Sequence, residues 1–212
     1  PYPSAAGAIT GSTNECANAT GITYSITPVS NATGYNWTVP SGASITSGTG
    51  TNAITVSFGT TSGNVEVTPT NSCGNGTSSN TAVTITSVPS AAGAITGATS
   101  ECANATGSIY TVAAVTGATG YNWTVPSGAS ITSGTGTNTI TVTFGTTSGT
   151  VSVTPTNTCG NGVSSSAAVT INTIPNAAGA ITGASSTCNN ATETYSIAAV
   201  TGATGYDWTV PS

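Results

Sequence analysis

The stretch "ATGYNWTVPSG" fills residues 32–42 and returns letter for letter at 118–128. It starts again as "ATGYDWTVPS" at 203–212. A Tyr and a Trp two apart, in a chain with 3 Trp and 7 Tyr, admit two readings. The pair is either a stacking platform for a sugar or the buried anchor of a small β-domain. On a strand, side chains alternate between faces, so Tyr35, Trp37 and Val39 point one way and Asn36 and Thr38 the other. A sugar platform would turn the aromatics outward and leave Asn36 and Thr38 inside with little to bond. The anchor reading avoids that cost and makes Tyr35, Trp37, Tyr121, Trp123, Tyr206 and Trp208 core residues. The change from Asn36 and Asn122 to Asp207 fits it, because an outward position tolerates a charge.

The motif belongs to a longer period. Pro3, Pro89 and Pro175 open "PSAAGAITG", "PSAAGAITG" and "PNAAGAITG", a step of 86 residues that Cys16, Cys102 and Cys188 also keep. A fixed period means tandem units, and a unit of this length can hold a modest core of its own. The chain divides into one repeat at 1–88, a second at 89–174 and the N-terminal part of a third at 175–212, and reads as an internal piece of a longer protein. Period-2 alternation between Gly, Pro, Asn and Ser predicts strands in the first repeat around 8–11, 22–27, 34–39, 43–47, 52–58, 64–70 and 81–88. Tyr24 and Ile26, Ile54, Val56 and Phe58, Val65 and Val67, and Val83 and Ile85 then join the Trp37 face. Thr, Ser, Asn and Glu66 take the solvent face, where β-branched Thr suits an exposed strand. No helical pattern occurs. About seven short strands per unit point to all-β, immunoglobulin-like sandwiches. Val88-Pro89 and Ile174-Pro175 join the units without a Gly/Ser spacer, and Pro restricts both its own φ and the residue before it. An extended, stiff string of beads is expected.

Composition narrows the function. The chain has no Lys, Arg, His or Met and five acids: Glu15, Glu66, Glu101, Glu193 and Asp207. Without a cation it cannot neutralise phosphates, which excludes nucleic acid and anionic membrane surfaces as partners. It has no apolar run long enough for direct membrane insertion, and it offers trypsin no site. For catalysis there is no His or Lys to act as base, and no acid recurs at one place in all three repeats: Thr187 stands where Glu15 and Glu101 stand, and Ser152 where Glu66 stands. Glycoside hydrolysis needs paired carboxylates, but no pair of acids recurs from one repeat to the next. Calcium needs clustered oxygen ligands, usually several carboxylates. The chain is therefore expected to be non-catalytic, with no metal and no cofactor. "GTGTNA" at 48–53 loosely matches a dinucleotide loop, yet a strand follows it where a helix is required. "CGNG" at 73–76 and 159–162 reads as a hairpin turn. The Asn-x-Thr triplets at Asn18, Asn31, Asn36, Asn104, Asn122 and Asn190 are chance matches in so Asn/Thr-rich a chain.

Cysteine is the most informative polar residue. Cys16 and Cys73, like Cys102 and Cys159, stand 57 apart, and Cys188 is the fifth. Two per repeat, without His or CxxC spacing, predict disulfides in an oxidising compartment rather than zinc. Cys16 falls between predicted strands one and two, Cys73 between six and seven, and those loops lie at opposite ends of an immunoglobulin-like sandwich. A disulfide needs Cα atoms within about 7 Å. Three alternatives stay open: a pairing within each repeat, one joining Cys16 to Cys159 across the junction of stacked beads, and free thiols.

The combination "PSAAGAITG…C…TYSI…GYNWTVPSGASITSGTGTNAITVSFGTTSGNVEVTPTNSCG" resembles the PKD-like, immunoglobulin-fold repeats of very large secreted surface proteins of Bacteroidetes, over the whole chain. "NWTVPSG" stands where ordinary PKD domains often carry W-x-F-G-D-G. The resemblance implies a non-catalytic stalk of an extracellular, cell-surface adhesin of the gliding-motility type, exported by the type IX secretion system. Its partners would be neighbouring repeats of the same chain and the secretion and surface-anchoring machinery. The alternative is a set of weak modules that bind surface glycans by avidity. Near-identity between repeats favours the stalk, because spacing requires it and individual recognition does not.

Overall fold

The computed structural model describes residues 1–189 and 191–210, so the Asn-x-Thr position at Asn190 lies outside the described residues. The first repeat forms β1 (Asn14–Cys16), β2 (Ile22–Ser25), β3 (Gly34–Thr38), β4 (Ser44–Ser47), β5 (Ala53–Ser57), β6 (Gly63–Asn71), β7 (Gly74–Asn75) and β8 (Ser79–Thr86). The second forms β9 (Ile95–Thr96), β10 (Ser100–Cys102), β11 (Ser108–Val112), β12 (Gly120–Thr124), β13 (Ser130–Ser133), β14 (Thr139–Thr143), β15 (Gly149–Asn157), β16 (Gly160–Asn161) and β17 (Ser165–Asn172). Among the described residues there is no helix.

Alternating apolar residues give each sheet one face that must be covered. In the first repeat one sheet runs β1-β8-β6-β3, with β7 on β6, and the other runs β2-β5-β4. Tyr24, Ile26, Ile54, Val56 and Phe58 from one side meet Trp37, Val65, Val67 and Val83 from the other in a single core. Tyr35, Val39 and Ile85 pack partly buried against it. Tyr24 meets Phe58 edge-on at 6.1 Å, a favoured aromatic geometry. In the second repeat the sheets run β10-β17-β15-β12, with β16 on β15, and β13-β14-β11-β9. Tyr110, Val112, Trp123, Ile140, Val142, Phe144, Val151, Val153 and Val169 are buried there.

Neutral side chains bonded to the main chain bring polar atoms into these cores. The Trp37 indole N–H donates to the Thr51 carbonyl at 2.9 Å, and that of Trp123 to Thr137 at 2.8 Å. Asn52 exchanges two bonds with Ile26: its Nδ2 donates to the Ile26 carbonyl at 2.8 Å, and its own carbonyl accepts from the Ile26 amide at 3.0 Å. The Tyr24 hydroxyl donates to the Ser12 carbonyl at 2.6 Å. Among the described residues no buried side-chain polar atom lacks a partner.

Compactness divides the chain into two units that cut across the 86-residue period. The first holds Pro1–Ala92 together with Ala114–Tyr121 and Thr154–Ser164; the second holds Gly93–Ala113, Asn122–Val153 and the residues from Ser165 onward.

Three expectations need correction. The stretch 8–11 is not a strand: only Thr10 bridges to Ser25. In its place Asn14–Cys16, which shows no apolar alternation, forms β1 on the free edge of β8, in parallel register from Asn14↔Thr84 to Cys16↔Thr86. The partner's open row of hydrogen-bonding groups makes this strand, not a side-chain pattern. Finally, Tyr206 and Trp208 are 46% and 49% exposed, whereas Trp37 is 6% exposed. Trp37 stands opposite Val67 of β6, and the described part of the third repeat has no counterpart of β5, β6 or β8. Ile181, Tyr195 and Trp208 instead line an open apolar hollow.

Replacing Trp37 or Trp123 with Ala should lower stability by about 3–5 kcal/mol, whereas Asn36→Asp or Trp208→Ala should shift it by less than about 0.5 kcal/mol, as read by urea unfolding. Burial, and secondarily the nearby Glu15 charge, pushes the Tyr24 hydroxyl from its ordinary 10.0 up to about 12. Burial raises Tyr110 likewise, with Glu101 as the second cause. An unfolded tyrosine titrates at its ordinary value, so the Tyr24 contribution is complete below pH 10.0 and is lost as pH climbs toward about 12, and the Tyr110 contribution is lost in the same direction as pH rises. Stability followed across that window should fall, and Tyr24→Phe should make the fall shallower.

Candidate functional site: the cysteine joint

In the first two repeats the tryptophans face the core and form no surface platform. Trp37 and Trp123 are buried, Tyr35 packs half-buried against the Trp37 core, and Tyr121 is half-buried. Each tyrosine hydroxyl accepts a main-chain amide at the preceding turn: Val29 to Tyr35 at 2.9 Å, Val115 to Tyr121 at 2.8 Å and Val200 to Tyr206 at 2.8 Å. Among the described residues no group of His, Cys, Asp and Glu is arranged to hold a metal ion. Cysteine remains as the residue with distinctive chemistry.

The parallel pairing of β1 with β8 decides where the first cysteine sits. Cys16 lies beside Thr86 at the C-terminal end of β8, and the Ala17 amide donates to the Thr86 carbonyl at 2.9 Å. It therefore flanks the exit into Ser87, Val88 and Pro89. Cys73 lies in the turn between β6 and β7, and β6 runs antiparallel to β8 with Val67 opposite Ser79. That turn is at the other end of β8. The strand has 8 residues, a span of roughly 26 Å, so a bond between Cys16 and Cys73 is out of reach. Cys16 is instead bonded to Cys159, with Cα atoms 5.4 Å apart and a sequence separation of 143. Cys73, Cys102 and Cys188 are free and exposed.

The bond lies inside the first compact unit, to which the segment Thr154–Ser164 belongs. Asn157 organises its surroundings. Its Oδ1 accepts the Cys159 amide at 2.8 Å, and its Nδ2 donates to the Ser87 carbonyl at 2.7 Å and the Gly117 carbonyl at 3.0 Å. Two main-chain bonds flank it, from the Ser90 amide to Thr116 at 3.0 Å and from the Ala92 amide to Val163 at 2.9 Å. A Cβ on Gly162 would come within 2.6 Å of the Ser90 carbonyl oxygen and 2.7 Å of that of Pro89, so the backbones can approach only with glycine there.

The same cradle recurs one period earlier. Asn71 accepts the Cys73 amide at 2.8 Å and donates to the carbonyls of Pro1 at 2.9 Å and Asn31 at 2.7 Å. One of the two carbonyls that each asparagine reaches belongs to a left-handed residue, Asn31 at φ 65° and Gly117 at φ 80°. Asn and Gly are the residues that adopt this conformation most readily. Reasoning from the sequence missed Asn71 and Asn157. The signal was available in "TNSCG" at 70–74 and "TNTCG" at 156–160, because an Asn two residues before the Cys closes an Asx turn on its amide.

Reducing the Cys16–Cys159 bond should lower thermal stability by about 3–5 kcal/mol, the chain-entropy expectation for a loop this long. The Cys16→Ser, Cys159→Ser double variant should reproduce the loss without reductant. Asn157→Ala should cost about 1–3 kcal/mol, because it leaves three main-chain groups without their partner.

A search of curated proteins finds no match to the sequence. Solved structures superpose on the chain at low identity. An I-band fragment of titin superposes with a TM-score of 0.52 at 12% identity, covering 80% of this chain and 67% of that one. Extracellular domains 3–5 of Drosophila OTK give 0.42 at 14% identity, covering 81% of this chain and 60% of that one. The N-terminal eight Ig domains of Down Syndrome Cell Adhesion Molecule give 0.46 at 12% identity, covering 80% of this chain and 25% of that one. The chain thus spans less than two thirds of the last two. The PKD-like domain model matches residues 2–83, 88–169 and 174–212. With matches in all three repeats, the chain belongs to the PKD-like domain family and is built as tandem immunoglobulin-like β-sandwiches.

Proposed function

We propose that the chain is a run of non-catalytic structural repeats from a secreted cell-surface adhesin, in which beads at 1–88, 89–174 and 175–212 act as a stalk that holds adhesive parts away from the cell. The observation that carries this reading is the orientation of the repeated aromatics. Trp37 and Trp123, in the motif copied most faithfully, are both committed to the core and bonded to main-chain carbonyls. What the repeat preserves is therefore the bead, not a surface that touches a ligand. The outward faces carry Thr, Ser and Asn without a cation, which suits a solvated, protease-exposed spacer. A disulfide as a structural element supports an oxidising, extracellular location. The resemblance to Bacteroidetes surface repeats supports export by type IX secretion and a part in attachment or gliding.

The competing reading makes each repeat a weak glycan-binding module. A glycan array probed with the oxidised chain is expected to show no saturable signal. Binding of a defined glycan that the free sugar competes away would overturn the spacer reading. In the parent surface protein, deleting one whole 86-residue period should leave surface display intact.

A further inference from the structure

We propose that Cys73 and Cys102 are the open halves of two further inter-repeat disulfides, each built to take the thiol of an adjoining copy of this same repeat. The rule comes from the bond already present. Its span of 143 residues is one full period plus the spacing of the two cysteines within a repeat. A cysteine that closes the first short strand of one repeat thus bonds to the hairpin cysteine of the next. Both open halves are shaped as the bonded ones are. Cys102 closes β10 on β17, opposite Asn172, as Cys16 closes β1 on β8, opposite Thr86. The amide after each donates to the strand alongside, Ala17 at 2.9 Å and Ala103 at 2.8 Å.

Cys73 stands to Asn71 as Cys159 stands to Asn157, with the same 2.8 Å bond to the asparagine Oδ1. The two hairpins also share their register: Thr70↔Asn75 and Asn71↔Gly74 in one, Thr156↔Asn161 and Asn157↔Gly160 in the other. Within the chain neither Cys73 nor Cys102 has an eligible partner: Cys188, also free, holds the same place in the period as Cys102 and lies on the C-terminal side of Cys73. Cys16 and Cys159, their companions in the repeat, are bonded to each other. Cys73 therefore calls for a strand-closing cysteine from a repeat on its N-terminal side, and Cys102 for a hairpin cysteine from a repeat on its C-terminal side.

The chemistry is thiol–disulfide exchange with a small disulfide oxidant such as oxidised glutathione. One cysteine thiolate attacks the oxidant to form a mixed disulfide and releases one glutathione thiolate. The second cysteine thiolate then displaces the other. The protein sulfurs lose two electrons between them, the glutathione sulfurs gain two, and the two thiol protons end on the two reduced glutathiones.

The test completes the third repeat by adding a copy of residues 128–174 after Ser212, which supplies the missing hairpin cysteine. The chain is oxidised with glutathione, its remaining thiols are alkylated, and it is digested with pepsin. Cys102 is expected to lose alkylation and to appear linked to the added copy of Cys159, while Cys16 stays bonded to Cys159 and Cys73 is alkylated. The 212-residue chain treated in parallel should show Cys102 alkylated. Alkylated Cys102 in the longer chain, or Cys102 bonded to Cys73 or Cys159, would overturn the proposal. A second arm does not depend on folding of the added repeat. In the original chain Cys159→Ser should leave Cys16 alkylatable, and a Cys16–Cys73 bond there would defeat the rule. Both arms read thiols alone, so their outcome is separate from that of the stalk reading.

Discussion

The hydrogen bond from the Trp37 indole to the Thr51 carbonyl joins the two sheets of the first sandwich. Trp37 stands on β3 in one sheet, and Thr51 leads into β5 in the other. The ring fills the space between them, and its only polar atom fixes how the far sheet must sit. The neighbours of both ends then fall into place. Tyr35, two residues before the indole, reaches back to the Val29 amide, and Asn52, one after Thr51, closes on Ile26. A chain without Lys, Arg or His has no counter-charge for a buried acid, and a buried charge without a partner is costly. Polar bonds in the interior therefore join neutral side chains to main-chain carbonyls and amides.

What was legible in the sequence is what local periodicity can encode. Ile54, Val56 and Phe58 alternate with Thr55 and Ser57, so both the strand and its inner face follow from the letters, and the same holds for Val65 and Val67. β1 was not legible, because Asn14–Cys16 takes its conformation from the edge of β8, some seventy residues away in sequence. That one parallel pairing decides the cysteine chemistry. Until Cys16 is known to lie at the exit end of β8, bonds to Cys73 and to Cys159 are equally compatible with the spacing. Asn157 was hidden in a similar way. Its Asx turn is local, but its bond to Ser87 spans 70 residues. Tyr206 and Trp208 repeat the letters of Tyr35 and Trp37, yet burial is a property of the strands that cover a residue.

The joint shows how little side-chain chemistry a repeat needs to receive the next stretch of chain. Pro89 restricts the incoming backbone, Gly162 leaves room for it, and Asn157 holds Ser87, Gly117 and Cys159 at once. Pro3, Gly76 and Asn71 repeat the arrangement one period earlier. These are uncharged contacts, so ionic strength has little hold on them.

The Cys16–Cys159 bond also changes how the chain answers a pull on its two ends. Tension entering at one end meets the disulfide and crosses it, so the polypeptide between the two cysteines is not stretched even if its sheets come apart. The bypassed segment spans 143 residues, a contour of roughly 500 Å at full extension. With the bond closed that length is locked away; with the bond reduced it becomes slack that the chain can release. The redox state of one sulfur pair thus sets how much chain this part of the protein can release under tension.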